Sequence, residues 1–219
     1  MGREWKRYVN LIKERPADFD NSAGEYVIIT DHERVVSYER EAKRTIGVVY
    51  ESPYHLLVVD LVSSDGKHCF FYERLLPAVK NNSAVVALTI CQKYFVLLKQ
   101  YRHALRDWQY AFPRGYAESG LTPEENVYKE LGEELGCHPS DVLAMNYLGC
   151  IVADSGVSGE KVKTYLCELG RYKEQKHHEG IEKAVLLSRQ ELTKAIHDGK
   201  INDSFSLSAL SLYDAQYRV

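Results

Sequence analysis

The 219-residue chain lacks a long apolar run, a basic stripe and any paired cysteine spacing, and each lack removes a class of protein. No stretch approaches the roughly 20 apolar residues that a membrane-spanning helix requires. The amino-terminal stretch MGREWKRYVNLIKERP is charged and has no apolar segment of signal-peptide length. A membrane is therefore not an expected partner. With 28 basic and 31 acidic residues the net charge is −3, and basic side chains are not interleaved with aromatics in a stripe. Nucleic acid is likewise not an expected partner. The five cysteines (Cys69, Cys91, Cys137, Cys150 and Cys167) are odd in number and never spaced CxxC. That usage points to reduced thiols in the cytoplasm, away from a zinc site or a disulfide frame. Internal repeats and low-complexity segments are also missing. What remains is 45% hydrophobic, enough for a substantial core in one large domain or two small ones.

The most informative stretch is 115–137, GYAESGLTPEENVYKELGEELGC. A glycine-punctuated loop runs into a predicted helix. Thr122 suits the N-cap, Pro123 the first helical position, Glu125 completes a capping box, and Gly136 supplies the left-handed stop. At 3.6 residues per turn, Glu130, Glu133 and Glu134 project together. No Lys or Arg follows within one turn to offset them. An acidic face of this kind suits a hard divalent cation. Mg²⁺ takes carboxylate oxygens and keeps positions for water and phosphate, and Mn²⁺ is the alternative.

This stretch resembles the Nudix box, the loop-helix signature of the Nudix hydrolases. Gly115, Glu130, Leu131, Glu133, Glu134, Gly136 and Cys137 fall on its pattern. Leu121 stands where the box has its first Glu, and Lys129 where it has Arg. In the family those two side chains pair to brace the loop, so the resemblance implies one lost salt bridge here. Gln100-Tyr101-Arg102 and Phe112-Pro113-Arg114-Gly115, with Gly199-Lys200-Ile201-Asn202-Asp203 near the end, are similar to the ADP-ribose pyrophosphatase branch. Two positions depart from it: Ala111 replaces a Glu, and Asp154-Ser155-Gly156 stands where Ser-Pro-Gly is common.

The resemblance implies Glu130 and Glu134 as metal ligands, with a carbonyl near Gly115 completing the coordination. Glu133 supports catalysis from beside them. Arg102, Arg114 and Ser155 are the implied substrate contacts. A further carboxylate, as ligand or general base, comes from the late loop, where Glu179 is the best match, with Glu182 behind it. His177 or His178 could also accept a proton there. The implied activity is Mg²⁺-dependent cleavage of the pyrophosphate in ADP-ribose or a related nucleoside diphosphate sugar, giving a nucleoside monophosphate and a sugar phosphate. The alternatives are a non-catalytic nucleotide-sugar sensor, or a hydrolase of a dinucleotide or coenzyme.

Strand and turn signals divide the chain into two expected domains. Residues 1–80 carry strand signals at 26–30 and 35–39 around Asp31-His32-Glu33-Arg34. Two more, at 56–62 and 68–73, flank Asp65-Gly66. This predicts a small antiparallel β domain. Residues 81–219 carry strands at 84–90, 94–100, 146–153, 162–169 and 183–187 alongside the box helix. A helix capped at Ser188 and stopped at Gly199 follows, and a last helix contains Phe205, Leu207, Leu210 and Tyr213. The predicted fold class is α/β, an α/β/α sandwich with a mixed sheet, as the Nudix resemblance also implies. The branch dimerises through its N-terminal domain, so a homodimer sharing substrate contacts is expected, with Trp5, Tyr26 and Tyr50 as conceivable base-stacking aromatics.

Overall fold

The computed structural model describes residues 2–22, 24–80, 83–173 and 180–217. They group into two units. The first comprises the chain up to Lys80 together with Asp154–Glu160. Its elements are α1 (Arg3–Glu14), a 3-10 turn (Pro16–Phe19), β1 (Val27–Ile28), α2 (His32–Ala42), β2 (Gly47–Glu51), β3 (His55–Ser63) and β4 (Phe70–Pro77). β3 is the spine of an antiparallel sheet. It pairs with β4 from His55↔Pro77 to Val62↔Phe70, and with β2 and β1 on its other side. The hairpin between β3 and β4 turns at Gly66, in the left-handed region at φ 73°. Asp65 Oδ1 accepts from the amides of Lys67 and His68 to hold it.

Two helices in this unit were not anticipated. α1 buries Trp5, Tyr8 and Leu11, which share a face at helical spacing. Residues 35–39, expected as a strand, lie in α2. The Asp31 side chain accepts from the Arg34 amide at 2.9 Å, and this N-cap outweighs the β preference of Val35-Val36. Trp5 is core rather than a base-stacking platform: it is 5% exposed and its ring stacks on Tyr8.

The second unit comprises 81–153 and 161–219. Its strands are β5 (Val85–Cys91), β6 (Tyr94–Arg102), β7 (Asp107–Ala111), β8 (Arg114–Gly115), β9 (Val142–Ile151), β10 (Val162–Leu169) and β11 (Ile181–Leu187). Its helices are α3 (Pro123–Leu135), α4 (Arg189–His197) and α5 (Ser204–Tyr217). The sheet runs β11-β6-β5-β10-β9, with β7 on β6 and β8 on β5. β10 is parallel to β5 and the other pairings are antiparallel, so the sheet is mixed.

Alternation along β6 builds a core on each face. Phe95 and Leu97 pack with Leu192 and Leu210 of α4 and α5. Val96 and Leu98 pack with Val127, Leu131 and Leu135 of α3. This is the expected α/β/α sandwich. No helix among the described residues is long and apolar enough to cross a membrane.

Candidate active site

α3 begins as its sequence dictates. Thr122 accepts from the Glu125 amide and the Glu125 carboxylate accepts from the Thr122 amide, closing the capping box. Gly136, at φ 59°, ends it. The helix buries two stripes. Val127, Leu131 and Leu135 enter the core, while Asn126, Glu130 and Glu134, spaced four apart, form a second buried row.

That second row holds the chain that follows β7. Asn126 Nδ2 donates to the Tyr116 carbonyl at 2.8 Å, and the Arg114 amide donates to Glu134 Oε2 at 3.1 Å. Between them, Glu130 lies against Gly115: a Cβ at position 115 would fall 2.0 Å from Glu130 Oε1. Gly115 is thus required by close approach, because any side chain would occupy the carboxylate's place.

The glutamates are not uncompensated, contrary to the sequence expectation. Lys129 precedes Glu133 by one turn, and its Nζ lies 2.6 Å from Glu133 Oε2, 2.9 Å from Glu118 Oε1 and 3.9 Å from Glu130 Oε1. Burial pushes the Lys129 pKa down, but the hydrogen bonds to Glu133 and Glu118 outweigh it and hold the ammonium above its usual range. The loop brace expected to be lost with Leu121 is therefore made by Glu118.

Glu130 and Glu134, 7% and 3% exposed, supply hard oxygen donors on one helix face. Among the described residues no three His, Cys, Asp or Glu side chains form a metal-holding cluster. Mg²⁺ needs no such cage, since one or two carboxylates with water and substrate phosphate suffice. The donor set fits an open, partly hydrated divalent ion. Glu179, His177 and His178 lie outside the described residues. Glu182 is paired with Lys99 at 2.5 Å, which draws its pKa down.

The two arginines converge. Arg102, at the end of β6, has a buried Nε without a hydrogen-bond partner among the described residues. Burial, and then the neighbouring Arg114 charge, push its pKa down against the pull of Asp203 and Glu134. Arg114 lies 3.4 Å from Asp203 Oδ1 and its guanidinium stacks 4.7 Å over Phe205. Asp203 closes the 199–203 stretch of the resemblance but carries no site role in the sequence reading, and Ser206 carries none either. Asp203 Oδ2 accepts from the Ser206 amide and hydroxyl, and Ser206 Oγ accepts from the Phe112 amide at 3.0 Å. The signal available was Asp203-Ser204-Phe205-Ser206, an N-cap pattern opening α5. Tyr116, exposed, adds a polar aromatic within reach of Arg102. Ser155 belongs to the first unit. There the Gly156 amide donates to Asp154 Oδ1 and the Gly156 carbonyl accepts from Tyr72.

A NUDIX domain matches residues 80–205, more than half of the chain, and the protein belongs to the Nudix hydrolase family. Curated relatives include the RNA pyrophosphohydrolase of Aeromonas hydrophila subsp. hydrophila, 40% identical over 60 residues. That match covers 27% of this chain and 33% of the relative. The RNA pyrophosphohydrolase of Pseudoalteromonas translucida is 39% identical over 59 residues, with the same coverage. The chain thus spans about a third of the length of the curated relatives it matches. Among solved structures, an ADP compounds hydrolase superposes with a TM-score of 0.64 at 18% identity, covering 80% of this chain and 95% of that one. At that identity the likeness concerns the fold.

Proposed function

We propose that the chain is a Mg²⁺-dependent pyrophosphohydrolase that cleaves the diphosphate of ADP-ribose or a related nucleoside diphosphate sugar. The observation that carries this reading is the buried Nε of Arg102, without a hydrogen-bond partner among the described residues, beside Arg114 and in the same unit as the buried pair Glu130 and Glu134. An arginine whose charge is disfavoured first by burial and then by the neighbouring Arg114 is stabilised by an anion, and a diphosphate matches the guanidinium fork. Arg114, steadied by Asp203 and Phe205, would hold the second phosphate. Glu130 and Glu134 would hold the Mg²⁺, with a carbonyl near Gly115 as a further donor. When bound, the ion neutralises phosphate charge and lowers the pKa of its water. Glu179 is assigned as the residue that takes the water's proton. Ser155 and the first unit would add substrate contacts in a homodimer.

The reading is tested with a panel of ADP-ribose, other nucleotide sugars, dinucleotides, coenzymes and 5′-triphosphorylated RNA, with Mg²⁺ and with Mn²⁺. The expected result is highest kcat/KM on a nucleoside diphosphate sugar, with release of a nucleoside monophosphate. Preferential hydrolysis of the RNA would overturn the substrate assignment. Tight nucleotide-sugar binding without turnover would make the protein a sensor.

A further inference from the structure

In the family pattern the brace between loop and helix joins positions 121 and 129, and here position 121 is Leu. The reason Glu118 can replace it lies in the loop. The Leu121 amide approaches the Glu118 carbonyl at 3.5 Å and Gly120 adopts φ 88°, so residues 118–121 form a turn. Glu118 comes 2.9 Å from Lys129. A single ammonium therefore serves Glu118 on the loop and Glu133 one helical turn on, yet stays 3.9 Å from Glu130 Oε1.

We propose that Glu118 and Glu133 draw the Lys129 ammonium toward the loop and keep its ion pair with Glu130 at 3.9 Å, longer than a hydrogen bond, and that this restraint limits its competition with a divalent ion for that carboxylate. Lys129 is thus both the brace of the loop and a competitor for the metal carboxylate, and Glu118 and Glu133 are positioning residues that act through it. The ammonium is a compact charge on a flexible stem. Without Glu118 it has one anchor left and a second buried carboxylate within about one ångström of hydrogen-bond range. Half-exposed ion pairs of this kind add little to global stability, so the consequence is local.

The proposal rests on the reading of Glu130 and Glu134 as metal ligands, and two measurements separate it from that reading. In an Mn²⁺ titration of the full chain followed by electron paramagnetic resonance, Glu118→Gln is expected to weaken binding about ten- to a hundredfold, the usual effect of losing a support behind a ligand. Adding Lys129→Met to Glu118→Gln is expected to restore binding, because the competing charge is gone. A brace with only a structural role would be harmed further by that second change. Wild-type affinity in Glu118→Gln, or a double variant no better than the single, overturns the proposal. Independently of metal, Glu118→Gln should raise hydrogen exchange across 116–121, and unchanged exchange there overturns the brace. A wild-type chain that binds no Mn²⁺ while the exchange result holds leaves the brace standing and removes the ligand assignment together with the competition.

Discussion

Gly115 concentrates the site's geometry in one missing side chain. Because a Cβ there would lie 2.0 Å from Glu130 Oε1, Gly115→Ala should swing Glu130 out of its row and lower turnover about a hundredfold, as misplacements near 1 Å do. Circular dichroism should be unchanged, since neither core cluster includes this position. Glu134→Gln keeps the shape but removes charge, and should cost about 10²–10³ in kcat. Wild-type turnover in that variant would take Glu134 out of the metal face. The cysteines make a separate prediction. Burial pushes Cys137 up to about 11 and Cys167 up to about 12, from an ordinary 9.0. Both thiols are protonated in the folded state across a range where the unfolded chain would ionise them. Their contribution is complete below pH 9 and is lost as pH rises toward 11–12. Urea midpoints should therefore fall between pH 8.5 and roughly 11, and Cys167→Ala should flatten that fall.

At the scale of elements, what could be read from the sequence was what neighbours in the chain decide. The box helix is fixed by Thr122, Pro123, Glu125 and Gly136, all local, and it forms with the expected capping box. The hairpin at Asp65-Gly66 is equally local. α2 was misread because Val35-Val36 carries a β preference that the Asp31 cap overrules. The charge state of the glutamate face was misread because Lys129 lies before Glu133 rather than after it, and Glu118 reaches it only through a turn. The convergence of Arg102, Arg114 and Asp203 was not legible either, since it joins β6, β8 and the start of α5, about a hundred residues apart along the chain. Asp203 ties these elements and yields a prediction of its own. Asp203→Ala removes the cap of α5 and the partner of Arg114, so it should lower stability by about 1–2 kcal/mol and raise KM more than it lowers kcat. An unchanged KM would confine Asp203 to capping.

At the scale of the whole molecule, the first unit leaves Tyr26, Tyr50, Tyr54 and Phe70 between 42% and 60% exposed. Tyr26 and Phe70 meet edge to face with centroids 5.4 Å apart, an exposed aromatic pair that a partner surface can cover, and β2 is an edge strand that a second chain can pair with. A two-fold pairing of identical units is the commonest way to do so, and the resemblance to the ADP-ribose pyrophosphatase branch implies the same unit as the dimerisation element. Multi-angle light scattering at micromolar concentration should give twice the 25.1 kDa chain mass. Tyr50→Glu together with Phe70→Glu should return the chain to that single mass, because one places a charge on the edge strand β2 and the other beside the exposed Tyr26 ring, while both spare the buried core of Trp5, Tyr8 and Leu11. If the pair also raises KM for the nucleotide sugar while Mn²⁺ affinity holds, the first unit contributes to substrate binding through the dimer. If the wild-type chain is already 25.1 kDa under assay conditions, the dimer is wrong and those aromatics face solvent or another partner.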